Sequence, residues 1–414
     1  MTRIHARRMT IAALIVLAAG AADAQPKWTA RVDEVRQDVR LHAGPFYVKP
    51  SVILKELGTD SNVFNAAGEP VSDFTFTVTP QAETFVPVAR RALLKLTTAA
   101  DLVYFADYDS ERSVDPQIIA RAEGYLTRLM LFGEAAYLNT RQRPNYEVDV
   151  RSRHVENAIT LGTELAITSR LLLTVQGRQS EVRYDADDVL GTALQRTLNN
   201  QRDAVQVTAR HLLTSLTTLA SRFDVFRDRF EYSPVRDSRS YRVMPGVEFR
   251  PQALLNGSAY VGYRKFSPEH QEVLPDFAGL VADLGLSYTL LGATTFGATY
   301  RRDLTYSYEE LQPFFIDNTV GASVRRALGA RFDLMGGVDR HRYDYQRTLP
   351  ADATVPNAPQ QVDTTWSYSA SVGYRLRPET RLGFGVSYWQ RDSTTRQFRE
   401  YDNLRVGITM TGGF

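Results

Sequence analysis

From Phe46 to the last residue, apolar side chains recur at every second position, and this period constrains the fold more than any other feature of the chain. An extended strand sends successive side chains to opposite faces of its sheet. In the run from Trp366 to Arg377, Trp366, Tyr368, Ala370, Val372, Tyr374 and Leu376 share one face, and Ser367, Ser369, Ser371, Gly373, Arg375 and Arg377 share the other. Leu280, Ala282, Leu284, Leu286, Tyr288 and Leu290 oppose Gly279, Asp283, Gly285, Ser287 and Thr289 in the same way. So do Leu94, Leu96, Leu102 and Tyr104 against Lys95, Thr97 and Asp101. One face suits hydrocarbon and the other suits water. The alternating segments run roughly 10–14 residues, against about 5–6 for the usual strand of a soluble sheet. That length fits a tilted strand crossing an apolar band of about 25 Å. Lipid offers no partner to a bare strand edge, so the sheet must close. The expected fold is all-β: a transmembrane, antiparallel, up-and-down β-barrel.

Short and long connections alternate between these segments. Short ones fall near 88–91, 127–130, 169–170, 214–217, 251–253, 291–292, 327–330 and 378–380. Long polar ones fall near 60–70, 107–115, 143–149, 184–197, 232–238, 267–275, 307–313, 346–361 and 394–398. Tight periplasmic turns and longer extracellular loops are the asymmetry of outer-membrane barrels. Eight short and nine long connections join about eighteen strands (between sixteen and twenty) with both termini on the periplasmic side. The Pro- and Ala-rich stretch 350–359 reads as a mobile surface loop. Leu404, Val406, Ile408 and Met410 alternate towards a terminal Phe414, an ending that resembles the signal read by the outer-membrane barrel assembly machinery.

The N-terminus reads as a separate element. Arg3, Arg7 and Arg8 precede an uncharged apolar run from Met9 to Ala21, and Ala22-Asp23-Ala24 has the small-x-small form of a signal-peptidase site. The reading is a signal peptide over 1–24, too short in its apolar part to span a bilayer as a helix, cleaved on export to the outer membrane. Residues 25–43 would form a short periplasmic extension and 44–414 the barrel. Within the extension, Trp28, Val32, Val35 and Val39 recur at helical spacing. The segment is too small for a plug domain; it is open whether it contacts a partner or hangs loose. The chain has no cysteine, so closure of the sheet in lipid takes the place of disulfides as its source of stability. A net charge of +2 gives no hint of a nucleic-acid partner, and 21 tyrosines and 20 phenylalanines suit aromatic girdles at the lipid interfaces.

A barrel of this size leaves room for an aqueous lumen. Its polar rows supply the pore-lining candidates Lys95, Arg121, Arg178, Arg210, Arg222, Arg242, Arg250, Arg264, Arg301, Arg325, Arg375 and Arg405. Acidic candidates are fewer: Asp101, Glu123, Glu134, Glu164, Asp224, Glu248, Asp283, Asp333 and Asp339. Surplus guanidinium would attract anions and hold carboxylates bidentately. The competing reading is that arginines and acids simply pair across strands to fill the interior. Tyr260 and Trp389 face the lumen by parity and are candidates to stack on sugars. G-x-S-x-G and H-E-x-x-H motifs are absent from the sequence, and His154 beside Glu156 is a pairing common by chance. No enzyme activity, cofactor or metal is expected.

The segment Gly44-Pro45-Phe46-Tyr47-Val48-Lys49-Pro50-Ser51, followed by Leu57-Gly58-Thr59-Asp60-Ser61-Asn62-Val63-Phe64, resembles the opening of the putative β-barrel porin 2 family, where an R-x-G-P-F-like first strand leads into a D-x-N-V-F loop. Arg40 lies further from Gly44 than that pattern asks. The resemblance implies an outer-membrane porin, and, because many members accompany exopolysaccharide genes, a conduit that secretes an acidic polysaccharide with a periplasmic polysaccharide-export protein as partner. It supplies no catalytic residues. General or anion-selective diffusion is the alternative, with an outer-membrane enzyme or a purely structural barrel behind it.

Overall fold

The computed structural model describes residue 28 and residues 30–186, 188–189, 191–251, 253–349, 360–377 and 379–413. The signal-peptide reading, the stretch 350–359 and Phe414 lie outside the described residues.

Eighteen antiparallel strands form one closed ring. We number them β1 (Phe46–Asp60), β2 (Asp73–Val88), β3 (Ala92–Phe105), β4 (Ser113–Tyr125), β5 (Leu129–Thr140), β6 (His154–Ala166), β7 (Leu171–Tyr184), β8 (Asn200–Leu212), β9 (Thr217–Phe230), β10 (Ser238–Phe249), β11 (Leu255–Pro268), β12 (Phe277–Leu290), β13 (Thr294–Tyr306), β14 (Phe314–Leu328), β15 (Phe332–Gln346), β16 (Val362–Arg377), β17 (Thr380–Ser393) and β18 (Tyr401–Gly413). Each pairs with its sequence neighbours, and β1 pairs with β18 to close the ring. The eight short and nine long connections fall where the sequence places them, and the strand number is the one expected.

Hydrophobicity sets the register. The apolar rows point outward and stay exposed, among them Leu96, Leu161, Val205, Val261, Leu280, Val320 and Phe384. In a soluble sheet these rows would be the core; here lipid covers them. Outward aromatics gather towards both rims: Tyr288, Phe296 and Phe332 near short turns, Phe74 and Tyr368 towards the long loops. Beyond the upper aromatics the outer face turns polar as well, with Arg229 paired to Asp203 and Arg183 to Glu181. The strands therefore project past the bilayer into water.

The closing seam is held by the opening motif. Gly44 adopts φ +56° in the two-residue turn that folds Leu41–Ala43 back on Phe46–Val48. At the other end of β1, Asp60 is buried and accepts from Arg405 Nε of β18 at 2.6 Å and from the Asn62 amide at 3.0 Å. Asn62 is buried too; its side-chain amide donates to Asp402 O at 3.0 Å and Ala66 O at 2.9 Å, and its Oδ1 accepts from Ala66 N at 2.8 Å. The D-x-N element thus opens the first long loop and staples the first strand to the last. Across the same seam, a Cβ at Gly58 would stand 1.9 Å from Val406 O, so the strands close only because that position has no side chain.

Candidate functional site

The inner rows of the strands form the lumen wall. Structure places Lys95, Arg121, Arg178, Arg210, Arg222, Arg242, Arg264, Arg301, Arg325, Arg375 and Arg405 on these rows. Arg250 follows the last residue of β10 and lies exposed in a short turn, its backbone bonded to Leu216 O. The alternation that put Arg250 in line with Glu248 ends where the strand does.

Most wall cations have carboxylate partners. Arg121 meets Glu123 at 2.7 Å and Glu134 at 3.2 Å; Arg210 meets Glu248 at 3.0 Å; Arg242 meets Asp224 at 2.9 Å and Asp303 at 2.6 Å; Arg264 meets Asp303 at 2.7 Å. Lys95 pairs with Glu83. The expected numerical excess of basic over acidic side chains is therefore smaller than the sequence implied. Asp115, Asp228, Asp303, Asp317 and Asp363, absent from the expected acids, lie on the inner wall near the long-loop ends of their strands. Both faces are polar there, so alternation carries no signal. The two lumen aromatics are also engaged: Arg222 lies over the Tyr260 ring at 4.6 Å and Arg405 over the Trp389 ring at 4.9 Å.

Cations in surplus stand at particular heights. At the short-turn mouth, Arg381, Arg325 and Arg375 share one buried carboxylate, Asp333, at 2.6, 3.6 and 3.7 Å. Midway, Arg178 and Arg301 have no carboxylate within 4.0 Å among the described residues.

Two of the chain's own segments enter the lumen. The first is the helix α1 (Ala30–Asp38). Trp28, Val32, Val35 and Val39 pack on Phe85, Leu93, Tyr125, Met130, Phe132 and Ala166, inward-facing residues of β2–β6 near their short turns. Trp28 Nε1 donates to Glu164 at 2.8 Å and Arg31 to Glu123 at 2.8 Å, while Asp33 pairs with Arg90. The helical spacing read from the sequence is real, and the helix is lodged in the periplasmic mouth rather than hanging below it.

The second is the loop 141–153 between β5 and β6, which crosses to the far wall. The Tyr146 ring lies 4.5 Å from the ring of His341 in β15, nine strands from β6 and so halfway round the ring. Arg391 of β17, fully buried, donates to Tyr146 O at 2.9 Å and Asp149 Oδ1 at 3.0 Å, and pairs with Asp363 at 2.5 Å. Arg399 donates to Glu147 O. Glu147 is buried against Ser307 and Tyr308, and burial pushes its carboxyl up to about 7. Val148 packs with Val189, Leu194, Leu198 and Tyr308 from two other long loops, one of which carries the short helix α2 (Leu194–Leu198). The lumen is thereby narrowed at the long-loop end by a loop fixed through buried charge. The sequence marks 143–149 only as a long polar connection. Its one signal was Tyr146 and Val148 interleaved with Glu147 and Asp149, too short a pattern to separate a folded-in loop from a strand end.

This arrangement is that of a polar-walled lumen with a constriction. Comparison with solved structures gives the following likenesses. A BenF-like porin from Pseudomonas fluorescens Pf-5 matches with a TM-score of 0.50 at 9% identity, over 89% of this chain and 98% of that one. Pseudomonas aeruginosa OpdK with vanillate gives 0.49 at 10% identity over 89% and 99%. The alcaligin receptor FauA from Bordetella pertussis gives 0.41 at 12% identity over 84% of this chain, which spans only 62% of the receptor's length. A sequence search of curated proteins finds no match. The family model described as putative beta-barrel porin 2 matches residues 38–414, which takes in every strand of the ring. The chain is a porin-like outer-membrane β-barrel and belongs to the putative beta-barrel porin 2 family.

Proposed function

We propose that this barrel is a conduit for an acidic polysaccharide leaving the cell, received at its short-turn mouth from a periplasmic export partner. The observation that carries the reading is guanidinium in local surplus at successive heights: three arginines around the one carboxylate of Asp333 in a cluster at the mouth, then Arg178 and Arg301 with no carboxylate within 4.0 Å among the described residues. Weak anion contacts repeated along a wall let a charged chain enter and leave again. Rows of hydroxyls, such as Ser367, Ser369 and Ser371 of β16, offer hydrogen bonds between these stations. The helix α1 and the loop 141–153 both narrow the lumen, which suits passage opened by a partner at the mouth better than permanent diffusion.

Deleting the gene and measuring secreted polymer tests this directly. Loss of surface polysaccharide, restored by the native gene, is expected; unchanged secretion would remove the export reading. A second reading, anion-selective diffusion of small solutes, draws on the same unpaired arginines. Planar-bilayer recordings should then show anion preference, reduced in the double variant Arg178→Gln, Arg301→Gln. Cation preference in the native protein would count against both readings.

A further inference from the structure

Where the crossing loop meets the barrel seam, a cavity of about 500 Å³ opens between them. That is within the range of small-molecule sites, about 300–1,000 Å³. Its cations are Lys55, Arg143, Arg151 and Arg405. Three of them are neutralised: Lys55 by Asp101 at 3.2 Å, Arg151 by Glu111 at 3.4 Å, and Arg405 by Asp60 at 2.6 Å and by Glu56, which also lines the cavity, at 3.3 Å. Arg143 is not. Among the described residues it donates to two backbone carbonyls, Asp149 O at 2.5 Å through Nε and Val63 O at 2.6 Å through one terminal nitrogen. No carboxylate lies within 4.0 Å of it among the described residues. Burial, and then the neighbouring Arg405 cation, hold its guanidinium below the ordinary arginine value.

The two carbonyls fix the Arg143 fork in place and leave its other terminal nitrogen uncommitted, so an incoming anion meets a cation already oriented. The rest of the lining is not that of a plain anion hole. The Trp389 and Tyr401 rings and the Thr75 and Thr77 side chains share it. Rings suit the C–H face of a sugar, and hydroxyls suit its edges.

We infer that this cavity is a binding subsite for a carboxylate-bearing sugar residue, with Arg143 taking the carboxylate and Trp389 taking the sugar ring on the face that Arg405 does not cover. The inference deepens the proposed export of an acidic polysaccharide and rests on it for the identity of the ligand. It places one unit of the polymer at the constriction, its carboxylate held by a loop residue and its ring by the barrel wall.

Isothermal titration calorimetry on the full-length protein in detergent tests it, with a galacturonic acid tetramer, a neutral glucose tetramer and acetate as probes. The acidic tetramer should bind at least about tenfold more tightly than the neutral one. Arg143→Gln should lose about tenfold for the acidic tetramer and nothing for the neutral one. Trp389→Leu, which leaves the loop anchors Arg391 and Arg399 in place, should weaken both tetramers and leave acetate unchanged. Heat-modifiable migration on gels shows that each variant keeps its barrel. Equal binding of the two tetramers, or full binding by Arg143→Gln, would overturn the subsite. Loss of secretion on gene deletion with no tetramer binding leaves export standing and ends the subsite. Tetramer binding with normal secretion does the reverse.

Discussion

Glu147 is a single carboxyl whose protonation is tied to the position of a whole loop. It is buried against Ser307 Oγ and the Tyr308 amide, with the Arg399 cation favouring its charged form and Glu309 opposing it. Its seated value of about 7 lies above the 4.5 of a free glutamate. The seated loop therefore holds a proton that a displaced loop gives up. Seating is firmest below the free value and weakens as pH rises through 7, a bias on the order of 3 kcal/mol across that window. Conductance in planar bilayers should rise between pH 5 and pH 8, and Glu147→Gln should flatten that response in the narrow state. A response unchanged in Glu147→Gln would place the titrating group elsewhere. Asn62 illustrates the opposite degree of legibility at this scale. The sequence marks it through a family motif, yet nothing in the sequence says what the motif does. Its amide reaches Asp402, 340 residues away, and a contact of that separation leaves no local pattern.

Elements were legible where lipid imposes a rule and obscure where the protein is wet on both sides. Turns and strands followed from the period of two, because a residue facing hydrocarbon cannot be polar. The helix α1 was legible as a helix through Trp28, Val32, Val35 and Val39, but its seat is made by side chains from five strands, β2 to β6, and no spacing encodes that. The docked helix has a plain consequence. Val32 is fully buried against the wall, in the same mouth as Glu123 and Glu164. A carboxylate at this buried position would cost at least about 2 kcal/mol. Val32→Asp should release the helix without opening the barrel. Trypsin should then cut at Arg36 at least about tenfold faster while the barrel keeps its heat-modifiable migration, and bilayer conductance should increase. Protection equal to the native chain would mean that the helix is held by its ion pairs alone.

At the scale of the molecule, the same rows of leucine, valine and tyrosine would serve a soluble sandwich or a lipid-embedded ring, and only their surroundings differ. Ring closure through β1 and β18 settles the topology: a sheet whose first and last strands pair has no second layer, so its apolar rows have nothing but solvent or lipid to face. Leu161, in the middle of β6, is 65% exposed on the outer surface, whereas Gln176 of β7 points inward and bonds to Gln206 at 3.0 Å. The two positions should therefore answer opposite questions about the medium. Leu161→Arg puts a charge near the bilayer midplane and should cost about 2–4 kcal/mol in reversible unfolding from liposomes, while Gln176→Arg, facing water, should stay within about 1 kcal/mol. A tryptophan at 161 should be quenched by brominated acyl chains and one at 176 should not. Quenching at 176 with none at 161 would invert the barrel. Quenching at neither would mean that the apolar rows are covered by protein, and the conduit, its charged stations and its constriction would all lose the geometry on which they depend.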